Sequence, residues 1–227
     1  MSTHWWFDEL AHAGSEHLDE TYVAAYDTKS PTLWTDEIAQ LPRLGIGAGS
    51  TIIDIGAGTG AFAVAARPHV ARVVAVDVSP TMVALMRDRG VEAVEGGFLT
   101  YEHEGEPADL VLSRNALHHL PDFWKALALT RVGRLLRPGG VFILEDIVYS
   151  FDPKDAGRMI ESWLQAAPTD PARGWTAEQL AEHVRTEHST FSWLLEPMFD
   201  RAGFAIENRR YSDNGIYAAY TCRLRSD

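Results

Sequence analysis

Only one cysteine, Cys222, occurs in the 227 residues. That excludes an intrachain disulfide framework and any cysteine-based zinc cluster, and it fits a reducing compartment. Cations are scarce as well. Twenty Lys and Arg stand against 32 Asp and Glu, a formal charge of −12, so there is no surplus to neutralise an extended phosphate backbone. No apolar run approaches the ~18 residues of a membrane-spanning helix. The opening residues, MSTHWWFDELAH, are acidic and amphipathic where a secretory signal would be basic and then apolar. Internal repeats and low-complexity tracts are missing too. The expectation is a cytoplasmic chain that engages neither nucleic acid nor membrane, and no metal site is expected.

What is present is an ordinary globular balance, 46% hydrophobic and 23% charged, long enough for one large domain with a real core. From Ser50 to Ser150 short apolar runs alternate with helical patterns, the signature of βαβ units on a parallel sheet. The runs are Thr51 to Ile55, Val73 to Val76, Ala108 to Leu112 and Val141 to Leu144, nearly continuous as befits strands covered on both faces. One helix is predicted from near Thr59 to Pro68, and a second starts with Ser79 as N-cap and Pro80 behind it, with Gly90 past its end. A third runs from Pro121 to a stop at Pro138-Gly139-Gly140. Residues 1–42 read as a helical cap, with Phe7, Leu10, His17, Leu18, Tyr22 and Tyr26 near helical spacing. Residues 43–227 form the core, interrupted by a helical insertion at about 153–190. Three helical segments are expected over 153–202, the middle one opened by a Thr176/Gln179 capping box. Phe204 to Arg210 and Ile216 to Arg223 flank Ser212-Asp213-Asn214-Gly215 as a hairpin.

The most specific feature is Asp54-Ile55-Gly56-Ala57-Gly58-Thr59-Gly60, set where a strand ends and a helix begins. Glycines there let the backbone approach a ligand at a helix N-terminus. Gly56, Gly58 and Ala61 also satisfy the dinucleotide spacing G-x-G-x-x-G/A, with an acid, Asp77, some 20 residues on. Asp77 can accept hydrogen bonds from both hydroxyls of a ribose, or it can serve as a cap beside Ser79. The glycines alone do not choose a cofactor.

Four segments together resemble the class I S-adenosylmethionine-dependent methyltransferases, in the compact branch that acts on small molecules. They are DIGAGTG at 54–60, VDVS at 76–79, ADLVLSRNALHHL at 108–120 and LLRPGGVFIL at 135–144. The resemblance implies a doubly wound α/β fold with a seven-stranded, mostly parallel sheet, a C-terminal antiparallel hairpin and a helical cap. It places S-adenosylmethionine against Asp54, Gly56, Ala57, Gly58, Gly60 and Asn115 at its methionine end. Asp77 and Val78 meet the ribose side, and the product would be S-adenosylhomocysteine. The acid that in the family often follows the third strand and reads adenine is missing, since Gly96-Gly97-Phe98 stand there. Adenine is therefore expected to rely on backbone groups around Gly97 and on stacking with Phe98.

By the same resemblance, His118 or His119 points toward the methyl acceptor. A histidine could take the acceptor's proton, or it could be a packed structural residue. Glu145, Asp146, Tyr22 and Tyr26 are the other candidates. Ser113-Arg114-Asn115-Ala116 replaces the motif of enzymes that methylate base amines, and Cys222 follows Thr221 where cytosine methylation needs Pro-Cys. A monomer or homodimer acting on a small-molecule acceptor is expected. An NAD-dependent oxidoreductase fits the glycines but lacks a Tyr-x-x-x-Lys pair, and a non-catalytic partner subunit built on the same fold is the other alternative. Six of the seven tryptophans lie outside residues 50–150, where they line a pocket or pack the cap helices.

Overall fold

A computed structural model describes residues 5–13 and 34–226. Eight strands occur among them: β1 (Thr51–Ile55), β2 (Arg72–Asp77), β3 (Glu92–Glu95), β4 (Ala108–Arg114), β5 (Leu136–Tyr149), β6 (Thr190–Phe191), β7 (Phe204–Tyr211) and β8 (Tyr217–Leu224). The helices are α1 (Thr35–Gln40), α2 (Ala61–Ala66), α3 (Pro80–Asp88), α4 (Asp122–Leu135), α5 (Ala156–Gln165), α6 (Ala177–Thr186) and α7 (Ser192–Arg201). The sheet runs β3-β2-β1-β4-β5-β8-β7, with the two-residue β6 beside the end of β5. All pairings are parallel except β5 with β8 and β8 with β7, so the expected seven-stranded path with its antiparallel final pair is the observed one.

The apolar strand runs are buried because helices cover both faces. On one face Val111, Phe142, Leu144 and Tyr220 pack with Ala128, Leu129 and Val132 of α4 and Leu195 and Phe199 of α7. On the other, Leu110, Leu112 and Val141 meet Phe62 and Ala66 of α2 and Val83 and Met86 of α3. A third cluster, Ile147, Tyr149, Trp163, Leu180 and Ile216, seats α5 and α6 beyond the sheet's carboxyl edge. Phe199 is fully buried, and its truncation to alanine would cost roughly 3–5 kcal/mol.

Local signals act as expected at several boundaries. The Ser79 hydroxyl accepts the Met82 N–H and Pro80 opens α3, while both halves of the Thr176/Gln179 capping box form at α6. Two expectations need correcting. Helix α4 ends at Leu135 and passes directly into β5, because Leu136 takes extended backbone and pairs with Ala108. Pro138-Gly139-Gly140 therefore lie within the first part of the strand, where the register slips, and do not terminate the helix. Residues 5–13 hold only one helical turn, Leu10–His12. There tertiary contacts override the helical period: Trp5 stacks on Trp124, Trp6 meets it edge-on, and Glu9 is tied to the loop after β3. His17, Leu18, Tyr22 and Tyr26 lie outside the described residues.

Cys222 sits in β8 opposite Phe142, fully buried. Burial, with the charges of Glu207 and Glu196 behind it, pushes its thiol up to about 12. It should resist alkylation in the native protein and react stoichiometrically in denaturant; rapid labelling of the folded chain, followed with a chromogenic disulfide, would contradict this packing.

Candidate active site

The chain leaves β1 toward β2 on one side, yet β4 is the neighbour of β1 on the other. Such a reversal of strand order opens a crevice at the carboxyl ends of the strands. A cleft of about 690 Å³, counting the solvent at its mouth, lies there. Its walls include Gly56, Gly58, Asp77, Val78, Gly97, Phe98, Asn115 and His119, together with Glu9, Met82 and Arg114.

The glycine loop is held against β2 by its own donors. The N–H groups of Gly56 and Ala57 both reach the Val76 carbonyl, at 2.9 and 3.0 Å, and the Gly58 N–H donates to Asp77 Oδ2 at 2.8 Å. Gly56 has φ +73°, and a Cβ there would stand 2.3 Å from the Ala116 methyl. Its bare backbone thus lets the loops after β1 and β4 touch. These engaged donors are withheld from a pyrophosphate, so what the loop gives the cleft is chiefly room. Asn115 closes the opposite wall with φ 50°, a left-handed conformation that asparagine tolerates.

Asp77 ends β2 with each carboxylate oxygen holding one backbone donor, Gly58 N–H on Oδ2 and Ser79 N–H on Oδ1. Both functions weighed from the sequence are thereby available, since each oxygen keeps a further lone pair toward the cleft. Burial raises its pKa above the usual carboxylate value, against the two N–H bonds and His119. Asp54 lies deeper, off the cleft wall, and burial followed by the charge of Asp77 pushes it up to about 8. Ala57 and Gly60 also lie behind the lining, Gly60 packed close to Met86.

A carboxylate from elsewhere in the chain stands beside the loop after β3. Glu9 lines the cleft beside Gly97 and Phe98, accepts the Leu99 N–H at 3.0 Å and takes the Thr100 hydroxyl at 3.2 Å. A Cβ at Gly97 would stand 2.4 Å from Glu9 Oε1, so this glycine makes space for the acid. Burial raises Glu9, while the Leu99, Thr100 and Phe98 donors oppose the shift. Sequence reasoning missed Glu9 because an isolated acid among aromatics carries no spacing signal.

Beyond Asn115 the Leu117–His119 turn separates the two histidines. His119 lines the cleft, with Nδ1 2.8 Å from Glu187 Oε2. His118 is buried behind it, its Nδ1 2.5 Å from Asp146 Oδ1. Burial would raise Asp146, but the His118 ring and the Ile147 N–H outweigh it and hold the carboxyl below its usual range. His183 adds a third ring 4.9 Å from that of His118; burial, then repulsion from His118, lowers it to about 4. His183 lies in the last turn of α6, and Glu187 follows as its cap in extended backbone, so no helix-face spacing flags the pair.

Glu145 faces away from this cleft, into a second hollow of about 960 Å³ shared with Glu37, Trp34 and Arg210. It pairs with Arg114 Nε at 3.4 Å, and the same guanidinium lies 4.8 Å over the Trp34 ring. The cap tryptophans mostly pack: Trp34 on Phe62, Trp163 on His183, Trp193 on Phe191.

A parallel sheet with an antiparallel last pair, a glycine loop after its central strand and an acid at the end of the next make up the Rossmann-like methyltransferase fold. Residues 52–140 match the family profile of the methyltransferase domain. The uncharacterized methyltransferase YrrT of Bacillus subtilis (strain 168) is 29% identical over 168 residues, 73% of this chain and 74% of that protein. Among solved structures, an S-adenosylmethionine dependent methyltransferase from Mesorhizobium loti superposes with a TM-score of 0.59 at 21% identity, covering 83% of this chain and 99% of that one. Phosphoethanolamine N-methyltransferase 2 of Haemonchus contortus, in complex with phosphomonomethylethanolamine and S-adenosylhomocysteine, gives 0.69 at 17% identity over 98% of this chain and 61% of its own. Residues 52–140 of this chain are thus a methyltransferase domain by family profile, set in the fold these solved methyltransferases share.

The raised Asp54 has a consequence for stability. The folded chain keeps this proton up to about pH 8, whereas the unfolded chain releases it near its ordinary 3.8. Folding thus takes up a proton in that window, and this group lowers stability as pH rises through it. Asp54→Asn has no proton to lose. Its melting temperature relative to the parent, without ligand, should climb from pH 5 to pH 8; a pH-independent difference would contradict the burial of an ionisable carboxyl here.

Proposed function

We propose that the chain binds S-adenosylmethionine in the cleft between β1 and β4 and transfers its methyl group to an oxygen or nitrogen of a small-molecule acceptor, releasing S-adenosylhomocysteine. The observation that carries this reading is Asp77, fixed by two backbone donors in a cleft whose one lining Arg or Lys among the described residues, Arg114, is engaged by Glu145. Such a site suits a ribose diol and a sulfonium better than a phosphate. In this reading Asp77 and Val78 meet the ribose. Gly56, Gly58 and Asn115 meet the methionine end, with Asp54, Ala57 and Gly60 supporting the loop from behind, and Gly97, Phe98 and Glu9 surround the adenine. Residues 1–42 and the helical insertion at about 153–190 act as the lid, for which the position of Glu9 and Ala13 on the cleft is the support.

Methyl transfer from a sulfonium is an in-line displacement: the acceptor's lone pair forms the new bond to carbon as the S–C pair returns to sulfur. The protein's contribution is alignment and exclusion of water. His119, on the cleft wall with Glu187 behind it, handles the acceptor's proton. His118, locked by Asp146, positions the turn that carries it. Glu145 holds Arg114. Tyr22 and Tyr26, in the lid segment, are proposed as acceptor contacts.

Calorimetry should show S-adenosylhomocysteine binding and no NAD binding, and Asp77→Ala should weaken the former by roughly 2–4 kcal/mol, the worth of two charge-assisted hydrogen bonds. Tight NAD binding with no response to S-adenosylhomocysteine would overturn the assignment. In turnover assays with labelled S-adenosylmethionine, His119→Ala should lose roughly 10²- to 10⁴-fold at nearly constant cofactor affinity. Unchanged turnover in that variant would remove His119 from the chemistry.

A further inference from the structure

One cluster beside the cofactor cleft holds more coordinating power than proton transfer requires. His118, His119 and Glu187 each offer a ligand atom, and those atoms lie within 4.8 Å of one another. They come from two separate stretches of chain, the turn after β4 and the end of α6, brought together partly by the His188 N–H donating to the His118 carbonyl at 2.9 Å. None of the three is exposed. The arrangement behind them matters as much. Asp146 takes His118 Nδ1 and also accepts the His118 and Ile147 N–H groups, at 3.1 and 2.7 Å. The ring is thereby fixed with Nε2 as its remaining coordinating atom, the carboxylate–histidine pattern that orients and strengthens a metal ligand. Glu187 Oε2 and His119 Nδ1 are 2.8 Å apart. Two atoms each ~2.1 Å from one tetrahedral ion stand roughly 3.4 Å apart, so the cluster needs only side-chain adjustment to close on an ion.

Against the expectation of no metal, we propose that His118, His119 and Glu187 form a binding site for one divalent transition-metal ion. Two imidazoles and one carboxylate suit zinc, cobalt or ferrous iron, and three protein ligands leave a position open. His119 lines the cleft, so that position faces the place where an acceptor would lie. This deepens the methyltransferase reading and rests on it for its role: the acceptor class becomes one with an oxygen donor, a hydroxyl or enol. With the ion bound, His119 acts as a ligand and no longer as the base: bound through that oxygen, the acceptor loses its O–H proton to bulk water as the ion stabilises the oxyanion. The C–O bond then forms as S–C breaks, and the electron pair stays on sulfur. His183, with Nε2 on Ser189 Oγ, flanks the site.

The test is titration of the chelator-treated, full-length protein with Co²⁺ alone, followed by its visible absorption and by calorimetry. One equivalent should bind with new d–d bands. Glu187→Gln and His119→Gln should each weaken binding by more than about 10-fold, while His69→Ala, on the exposed turn after α2, should leave it unchanged. Absence of binding would overturn the site, and so would equal affinity in both cluster variants or a comparable loss in His69→Ala, which would signify surface histidines only. If one cluster variant does not fold, the other and the parent titration still decide. S-adenosylhomocysteine binding is measured on the same ion-free samples. Its persistence without Co²⁺ binding sinks only the metal site, and Co²⁺ binding without it sinks the methyltransferase reading.

Discussion

Each oxygen of the Asp77 carboxylate holds one backbone N–H, and those two bonds join parts of the chain that sequence keeps 21 residues apart, Gly58 in the loop after β1 and Ser79 at the start of α3. The rest of the site depends on that clamp. It pins the glycine loop to the end of β2, where Val76 takes two further donors, and it sets the floor against which Gly97, Phe98 and Asn115 form the walls. It also places a second carboxyl near Asp54, deep under the cleft. Burial pushes both carboxyls up, and the charge of Asp77 pushes Asp54 further.

The sequence was most legible where one local rule determined the answer. Continuous apolar runs became buried parallel strands, Ser79-Pro80 opened a helix, and Thr176 with Gln179 built its box. It was misleading where distant groups decide. Leu136 becomes strand because Ala108 waits beside it, so a Pro-Gly-Gly that reads as a helix stop is absorbed into β5. The residues around Glu9 give up most of a helical period because Trp124 and the Leu99 N–H hold them elsewhere. Candidate site residues divide along the same line. Those in the glycine loop and at strand ends could be named from motif and spacing. Glu9 and Glu187 reach the site across 68 or more residues of sequence in the contacts that place them, and no window of the chain reveals that.

The two ends of the cleft differ in chemistry. Toward β1, β2 and β3 it is lined by carboxylates and bare backbone, a surface for a nucleoside and a cation. Past Asn115 it turns to the His119 imidazole, with Glu187 on it and the His118–Asp146 pair behind, a surface for a proton or an ion. Arg114 stands where the two meet and is kept from both by Glu145 and Trp34. A methyl donor on one side and an acceptor on the other is the division of labour this asymmetry favours.

Hydrogen exchange with and without S-adenosylhomocysteine tests the location of the cofactor most directly, because it reports where along the chain a ligand slows amide opening. Added protection is expected in residues 54–60, 77–82, 96–99 and 113–119, with none in 208–221 along the second hollow. Protection confined to that second hollow, or absent from the glycine loop and the Asp77 turn, would contradict the account.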